Sequence, residues 1–86
     1  MDKQWYVYIL ECGDGTLYTG ITDDVQRRLQ AHQSGKGAKY TRGRGPLTLR
    51  YEEVCESHSH ALRREIEIKR LSRQEKIKLL EELTKT

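Results

Sequence analysis

A short aromatic segment near the start of this 86-residue chain limits its possible folds more than any other feature. It consists of Trp5-Tyr6-Val7-Tyr8-Ile9-Leu10, which is aromatic and β-branched without a helical period, and so predicts a buried strand. The turn-forming sequence Gly13-Asp14-Gly15 follows, and residues 17–22 supply a partner strand. The chain is therefore expected to begin with an antiparallel hairpin.

The length of the hairpin loop decides which side chains share a face of the sheet. A two-residue loop would place Tyr8 and Tyr18 on opposite faces. A three-residue loop, with Gly15 in the left-handed conformation, would place Tyr8, Tyr18 and Gly20 on the same face. The residues alone leave both loops open, and the family resemblance given below favours the three-residue loop.

A helix is predicted directly after the hairpin. The run Asp23-Asp24-Val25-Gln26 has an acceptor at the helix start and Gln three places on, and we expect the helix to end at Gly35. Four residues recur at helical spacing on one face: Val25, Arg28, Leu29 and His32. Arg28 and His32 therefore border the inward face of this helix, while Arg27 points away from it.

The second half of the chain predicts a third strand and two more helices. Leu47, Leu49 and Tyr51 alternate as in a strand, after a glycine-rich loop over residues 34–46. Ser57 or Ser59 would cap the next helix, and Ser72-Arg73-Gln74-Glu75 is a capping box for the last. The predicted fold is α+β, a small three-stranded antiparallel sheet flanked by helices in the order β-β-α-β-α-α, forming one domain over residues 1–86.

One carboxylate lies on an apolar helix face. The predicted face is formed by Ala61, Leu62, Ile66 and Ile68, and Glu65 falls in the middle of it. A buried Glu is costly unless it is paired or binds a cation. Lys69, one turn further on, is an obvious partner, so a plain ion pair is the structural alternative to a metal ligand.

The charge is strongly segregated along the chain. Residues 25–51 contain seven Lys or Arg and no Asp or Glu, whereas the other residues contain nine basic and thirteen acidic side chains. Such a positive field favours a polyanion such as nucleic acid, although a solvated loop that only confers solubility would have the same composition.

Composition and cysteine use suggest a compartment. No apolar run approaches the length of a membrane span, the N-terminus does not resemble a secretory signal, and the two cysteines form no C-x-x-C pair. We therefore expect a cytoplasmic protein with no membrane association, in which Cys12 and Cys55 are buried apolar side chains. A zinc site formed by Cys55, His58, His60 and Cys12 is an alternative with irregular spacing.

The order of these features resembles the GIY-YIG nuclease superfamily, in particular its small stand-alone bacterial members. Val7-Tyr8 matches part of the first strand motif, and Tyr18 and Gly20 match the outer positions of the second. Arg28 stands at the family's spacing from Tyr18, and His32 follows one helical turn later. The segment around Glu65 resembles the one that carries the family's metal-binding Glu.

The resemblance implies a divalent-metal-dependent endonuclease that hydrolyses phosphodiester bonds in DNA with weak sequence specificity, a role typical of DNA repair. The implied catalytic residues are Tyr8, Tyr18, Arg28, His32 and Glu65, with Glu65 holding one Mg²⁺ or Mn²⁺ ion. Arg28 would hold the phosphate, and Tyr8 or Tyr18 would orient or deprotonate a water through a phenol of lowered pKa. His32 would contact the phosphate or assist proton transfer.

The same resemblance suggests how nucleic acid would bind. Gly20 would leave room for the nucleic-acid backbone, and Tyr40 could stack on an unpaired base. The phosphate-binding loop would comprise Lys36, Lys39, Arg42 and Arg44. DNA is favoured over RNA, and a protein partner could supply specificity. The alternatives are a non-catalytic nucleic-acid-binding module and a nuclease subunit that requires a partner.

Overall fold

The computed structural model describes residues 4–37 and 39–84, which form one three-stranded antiparallel sheet and three α-helices. The elements are β1 (Trp5–Glu11), β2 (Leu17–Thr22), α1 (Val25–Gln33), β3 (Thr48–Cys55), α2 (His58–Lys69) and α3 (Arg73–Thr84), with a 3₁₀ turn over Lys39–Thr41. The predicted α+β class and element order are confirmed. Within the described ranges, no helix combines the length and the apolar character needed to cross a bilayer.

The hairpin has the three-residue loop. The Cys12 N–H donates to the Thr16 carbonyl at 2.8 Å, and this bond encloses three loop residues. The last of them, Gly15, has a φ of 85°, a conformation that favours glycine. Tyr8 consequently pairs directly with Gly20 across the two strands, as the three-residue loop predicts.

The sheet, in strand order β2-β1-β3, has a different cover on each face. The helices α2 and α3 pack on one face, where the buried core cluster consists of Val7, Ile9, Tyr51, Cys55, Ala61, Ile68 and Leu80. The other face carries Tyr8 and Tyr18, and α1 covers their rings through His32. Cys12 and Cys55 are both buried, as expected.

The third strand departs from the predicted alternation. Ile9 pairs with Tyr51 but Leu10 pairs with Leu49, so Arg50 is the extra residue of a β-bulge. Tyr51 therefore faces the α2 side of the sheet and Leu49 faces the other side. The prediction of one uninterrupted alternation is wrong at this point, because the bulge reverses the side-chain direction.

Helix α2 is rotated relative to its predicted apolar face. The buried members of that face are Ala61 and Ile68, and the exposed members are Leu62 and Ile66. Arg64 instead packs toward the sheet, where its Nε donates to both carboxylate oxygens of Glu53 at 2.8 and 3.1 Å. Arg64 thus lies on the sheet side of α2, and Glu65 lies at the border of the buried stripe and not in its middle.

The helix caps largely follow the sequence. Asp24, one residue later than predicted, caps α1, and Ser57 caps α2. The capping box of α3 is confirmed: Glu75 accepts from the Ser72 N–H at 2.9 Å, and Ser72 Oγ accepts from the Glu75 N–H at 3.2 Å. Helix α1 ends at Gln33, two residues before the predicted end.

Candidate active site

Tyr8 lies on the central strand, and its ring occupies the space above Gly20. A Cβ atom at Gly20 would come within 2.6 Å of the Tyr8 phenol oxygen and 2.7 Å of Cζ. The prediction that Gly20 makes room for nucleic acid is therefore wrong, because the phenol fills that space. Gly20 instead allows Tyr8 to lie flat across the neighbouring strand.

A buried hydrogen-bonded chain extends from this phenol. Tyr8 Oη lies 2.9 Å from His32 Nε2, and His32 Nδ1 lies 2.8 Å from Thr41 Oγ1. The His32 and Thr41 residues are each 2% exposed. Of the two roles predicted for His32, this burial suits assistance in proton transfer and not direct contact with a phosphate.

Arg28 lies beside both tyrosines on the rim of α1. The hydrogen bond with Tyr8 is the largest cause that raises the pKa of the Arg28 guanidinium, and Tyr18 contributes to the same shift. Arg27, on the opposite side of the helix, is 74% exposed at its side chain, as predicted. The helical spacing thus places one guanidinium at the tyrosines and leaves the next in solvent.

Burial controls the protonation state of the Tyr8 phenol. Burial raises the pKa of Tyr8 to about 12, although the nearby Arg28 partly opposes this shift. Without a metal ion, the Tyr8 phenol therefore has a raised pKa in place of the lowered one expected beside a metal and Arg28, because desolvation outweighs the positive charge. Burial, followed by the charge of Arg28, lowers the pKa of His32 below its usual value of 6.5.

These protonation states assign a direction to the chain of hydrogen bonds. The Tyr8 phenol keeps its proton at neutral pH and can donate it to His32 Nε2. A neutral His32 that accepts at Nε2 carries its proton on Nδ1, which donates to Thr41 Oγ1. Thr41 Oγ1 is compatible with this tautomer, in which His32 can receive a proton from Tyr8.

Aromatic contacts connect this centre to the basic loop. The Tyr18 ring lies 5.3 Å from His32 and 5.9 Å from Tyr40 between ring centres, and it stacks on Tyr40. Arg44 lies over the Tyr40 ring at 4.7 Å and contacts Asp14 at 2.7 Å. The loop is thus attached to the hairpin turn on one side and to the tyrosines on the other.

The remaining predicted residues of the loop are on the surface. Lys36, Lys39 and Arg42 are exposed, on the same loop as Tyr40 and Arg44. The structure places this positive surface next to the tyrosine pair, as a phosphate-binding loop would require.

Glu65 lies at the edge of α2, on the side of the tyrosines. Its charge is one of the influences that raise the pKa of Tyr8, so the carboxylate is within electrostatic reach of the phenol. Its side chain is 18% exposed, and Glu65 Oε2 lies 3.5 Å from Lys69 Nζ. The ion pair that was the structural alternative is therefore present, and it coexists with the position that a metal ligand would need.

A model of the GIY-YIG catalytic domain matches residues 4–78, which is most of the chain. The chain belongs to the GIY-YIG family. This family is a nuclease superfamily, as the resemblance of the chain's strand motifs to those of the family indicated.

Relatives of similar length carry the same GIY-YIG domain. The UPF0213 protein of Halobacterium salinarum is 61% identical over 71 residues, which cover 83% of this chain and 92% of the relative. The UPF0213 protein of Oceanobacillus iheyensis is 54% identical, with 94% of each chain covered. In these relatives the domain makes up nearly the whole protein.

Two solution structures share this GIY-YIG fold. The UPF0213 protein BH0048 from Bacillus halodurans is 55% identical, with a TM-score of 0.60 over 91% of this chain and 83% of that chain. The protein EF2693 from E. faecalis is 36% identical, with a TM-score of 0.64 over 99% of this chain and 92% of that chain.

The GIY-YIG domain offers oxygen donors for a metal ion at Glu65. Among the described residues, no three His, Cys, Asp or Glu side chains lie together as a metal cluster, so the zinc alternative is wrong. A single partly exposed carboxylate fits Mg²⁺ or Mn²⁺, which keep several waters and often take only one or two protein ligands. Glu65 would be the protein ligand of such an ion.

Thr41 is the residue of this centre that sequence analysis missed. It lies in the 3₁₀ turn of the basic loop, nine residues after the histidine that it contacts. Nothing in the local sequence distinguishes it from a surface threonine, because the contact depends on how the loop folds back over α1. A threonine that follows an aromatic residue within a basic loop is the only available hint.

Proposed function

We propose that this protein is a divalent-metal-dependent endonuclease that hydrolyses phosphodiester bonds in DNA with little sequence preference. The observation that carries the proposal is the convergence of four side chains on one hydrogen-bonded centre beside Glu65. These side chains are Tyr8, Tyr18, Arg28 and His32. Membership of a nuclease superfamily supports the same conclusion.

Arg28 suits the role of holding the scissile phosphate. Its guanidinium offers a planar set of donors that matches phosphate oxygens, and it is anchored on one side by Tyr8. Because it is always positively charged, it stabilises the extra negative charge that develops on the phosphoryl oxygens when water attacks.

Tyr8 and His32 suit the removal of a proton from that water. As the water oxygen bonds to phosphorus, one water proton passes to Tyr8 Oη while the Tyr8 hydroxyl proton passes to His32 Nε2. The P–O bond to the leaving oxygen breaks, and that oxygen is protonated by solvent. A phenol with a pKa of about 12 is protonated at neutral pH, so Tyr8 requires His32 as the final proton acceptor.

Glu65 would hold the divalent ion, which supplies Lewis-acid stabilisation of charge on the phosphate and the leaving oxygen. Lys69 holds the carboxylate in place through its 3.5 Å contact. This same ion pair also favours the second candidate function, a non-catalytic nucleic-acid-binding module, because it satisfies Glu65 without a metal.

The experiment is a cleavage assay on labelled DNA with Mg²⁺ or Mn²⁺ and with EDTA. We expect metal-dependent cutting that falls at least about 100-fold in Glu65→Gln and in Arg28→Gln. The matched controls Glu67→Gln and Arg27→Gln lie on the same helices with exposed side chains and should cut within about threefold of the parent.

Two results would contradict this proposal. Cutting by Glu65→Gln at the rate of the parent protein would show that the assigned site is wrong. Binding of DNA without cutting of single-stranded, duplex or branched substrates, in either metal, would establish the non-catalytic module instead.

A further inference from the structure

A groove runs along the free edge of the sheet, between strand β2 and the two C-terminal helices. We call it the edge groove, and it encloses a cavity of about 310 Å³. Its lining residues are Leu17, Tyr18, Thr19, Tyr40, Lys69 and Lys76. It continues past Lys76 to Arg73 at the start of α3. Strand β2 is an edge strand, because the strand order is β2-β1-β3.

The edge groove is positively charged along one wall. Lys69 is the last residue of α2, and Arg73 and Lys76 lie on the first turns of α3. Three cations therefore follow one another along the groove. The lining contains no carboxylate at any of its described positions. Lys69 is paired with Glu65, but three cations in a row along a lining without carboxylates suit a chain of phosphates.

The opposite wall is aromatic. Tyr18 and Tyr40 stack there with ring centres 5.9 Å apart, and Tyr40 is 45% exposed. Aromatic rings beside a cationic track are the usual arrangement for single-stranded nucleic acid, whose bases are free to stack. The bases of a duplex are paired and stacked on one another, so they cannot use such a wall.

A buried hydroxyl on the groove wall lacks a partner. Among the residues that the structure describes, Thr19 Oγ1 is a buried side-chain oxygen without a hydrogen bond. Buried polar atoms nearly always have a partner, so its absence calls for an explanation. Because this oxygen is sealed from solvent, a phosphate in the edge groove does not reach it, and the cations and the aromatic rings form the binding surface.

The groove adjoins the candidate active site at two points. Tyr18 belongs to both, and Lys69 pairs with Glu65. We infer that the edge groove binds a single-stranded stretch of nucleic acid that continues from the cleaved phosphate, an inference that rests on the proposed function. The preferred substrate is therefore DNA with an unpaired segment next to the cut, and its phosphates contact Arg73 and Lys76.

The inference is tested by binding without cleavage. Fluorescence anisotropy in EDTA measures the affinity for a labelled oligothymidylate about twelve nucleotides long over a range of salt concentrations. Lys69 stays unchanged, because its loss would disturb Glu65. The test variant is Arg73→Gln/Lys76→Gln. Its control is Arg70→Gln/Lys78→Gln, which removes the same charge at the C-cap of α2 and within α3, at residues that do not line the groove.

Loss of two phosphate contacts should reduce the slope of log K against log salt concentration by about 1.4. If parent and variant bind equally at 1 M salt, the variant should therefore bind about 25-fold more weakly than the parent at 0.1 M salt. The control should lose less than about threefold, and the parent protein should bind the oligonucleotide more tightly than a duplex of equal length. Equal losses in the two double variants, or a parent protein that prefers the duplex, would overturn the inference.

The inference and the proposed function can fail separately. If the parent protein cuts DNA and the Arg73→Gln/Lys76→Gln variant binds the oligonucleotide normally, the binding role of the edge groove is refuted and the nuclease proposal stands. Groove-dependent binding by a protein that never cuts would refute the nuclease and support the groove as a binding site. Circular dichroism of both variants shows whether each is folded.

Discussion

Substitution of Gly20 by Ala tests how the central tyrosine is held. If Gly20 were an ordinary strand glycine, Ala would stabilise the protein by about 0.4–1 kcal/mol, because it restricts the unfolded chain. Here the added Cβ atom would lie 2.6 Å from Tyr8 Oη, 2.7 Å from Cζ and 3.1 Å from Cε1. Those contacts are too short, so the ring or the strand has to move. The expected sign is therefore opposite to that of an ordinary glycine.

The size of the effect follows from what the ring would lose. Overpacking in a buried site costs about 1–3 kcal/mol. The displaced phenol, which is 2% exposed, would also lose its 2.9 Å hydrogen bond to His32, at a cost of about 1 kcal/mol. After the favourable effect on the unfolded chain, the net loss is about 1–3.5 kcal/mol, or roughly 5–25 °C in Tm for a domain of this size.

Urea denaturation followed by circular dichroism measures this change in the free energy of unfolding. Gly45→Ala is the control, because no atom lies within 4 Å of its added Cβ, and it should change stability by less than about 0.5 kcal/mol. In a Tyr8→Leu background the clashing atoms are gone, so Gly20→Ala should cost less than about 1 kcal/mol. An equal cost in both backgrounds would refute the proposed contact.

Three further predictions concern the hydrogen-bonded chain and the two tyrosines of raised pKa. Thr41→Val should lower the cleavage rate about 10- to 100-fold with unchanged DNA affinity, and Thr41→Ser should restore it, because only the hydroxyl orients His32. His32 contributes stability above pH 6.5 that is lost as the pH falls through its lowered pKa, so thermal melts of His32→Gln should depend less on acid pH. The pKa values of Tyr8 and Tyr51 are each raised to about 12, so both phenols contribute stability below pH 10 that is lost as the pH rises through 12. Absorbance titration of tyrosinate detects the pH at which they ionise.

Each of these predictions has an outcome that contradicts it. A Thr41→Ser variant as slow as Thr41→Val would show that the hydroxyl is not what matters. Acid melts of His32→Gln that parallel those of the parent would assign the acid sensitivity to other groups. Ionisation of both Tyr8 and Tyr51 near pH 10 in the folded protein would show that burial does not control these phenols.

Local rules of turn and cap chemistry predicted much of this fold. The residues alone left two hairpin loops open, and the family resemblance favoured the three-residue loop, in which Gly15 is left-handed and Tyr8 lies opposite Gly20. The capping box at Ser72 and Glu75 is present because both partners lie within one helical turn. The capping box depends on neighbouring residues only, so it can be derived from the sequence with few assumptions.

Contacts between distant segments could not be derived in this way. The bulge at Arg50 depends on how β3 meets β1, and the contact of Thr41 with His32 depends on the path of the basic loop. The pKa of Tyr8 is a balance between burial and the charge of Arg28, and the sequence does not indicate how deeply the phenol is buried. The sign of that shift therefore required the packed structure.

Helix α2 shows how such a distant contact affects the candidate site itself. At about 100° per residue, the sequence defines the angles between side chains but not the direction in which the helix faces. In the folded protein Ala61 and Ile68 lie in the core, and Arg64 pairs with Glu53 of β3. Glu65 follows about 40° from that stripe. A carboxylate in the middle of the stripe would be sealed in the core, whereas this rotation places Glu65 at the border, within electrostatic reach of Tyr8.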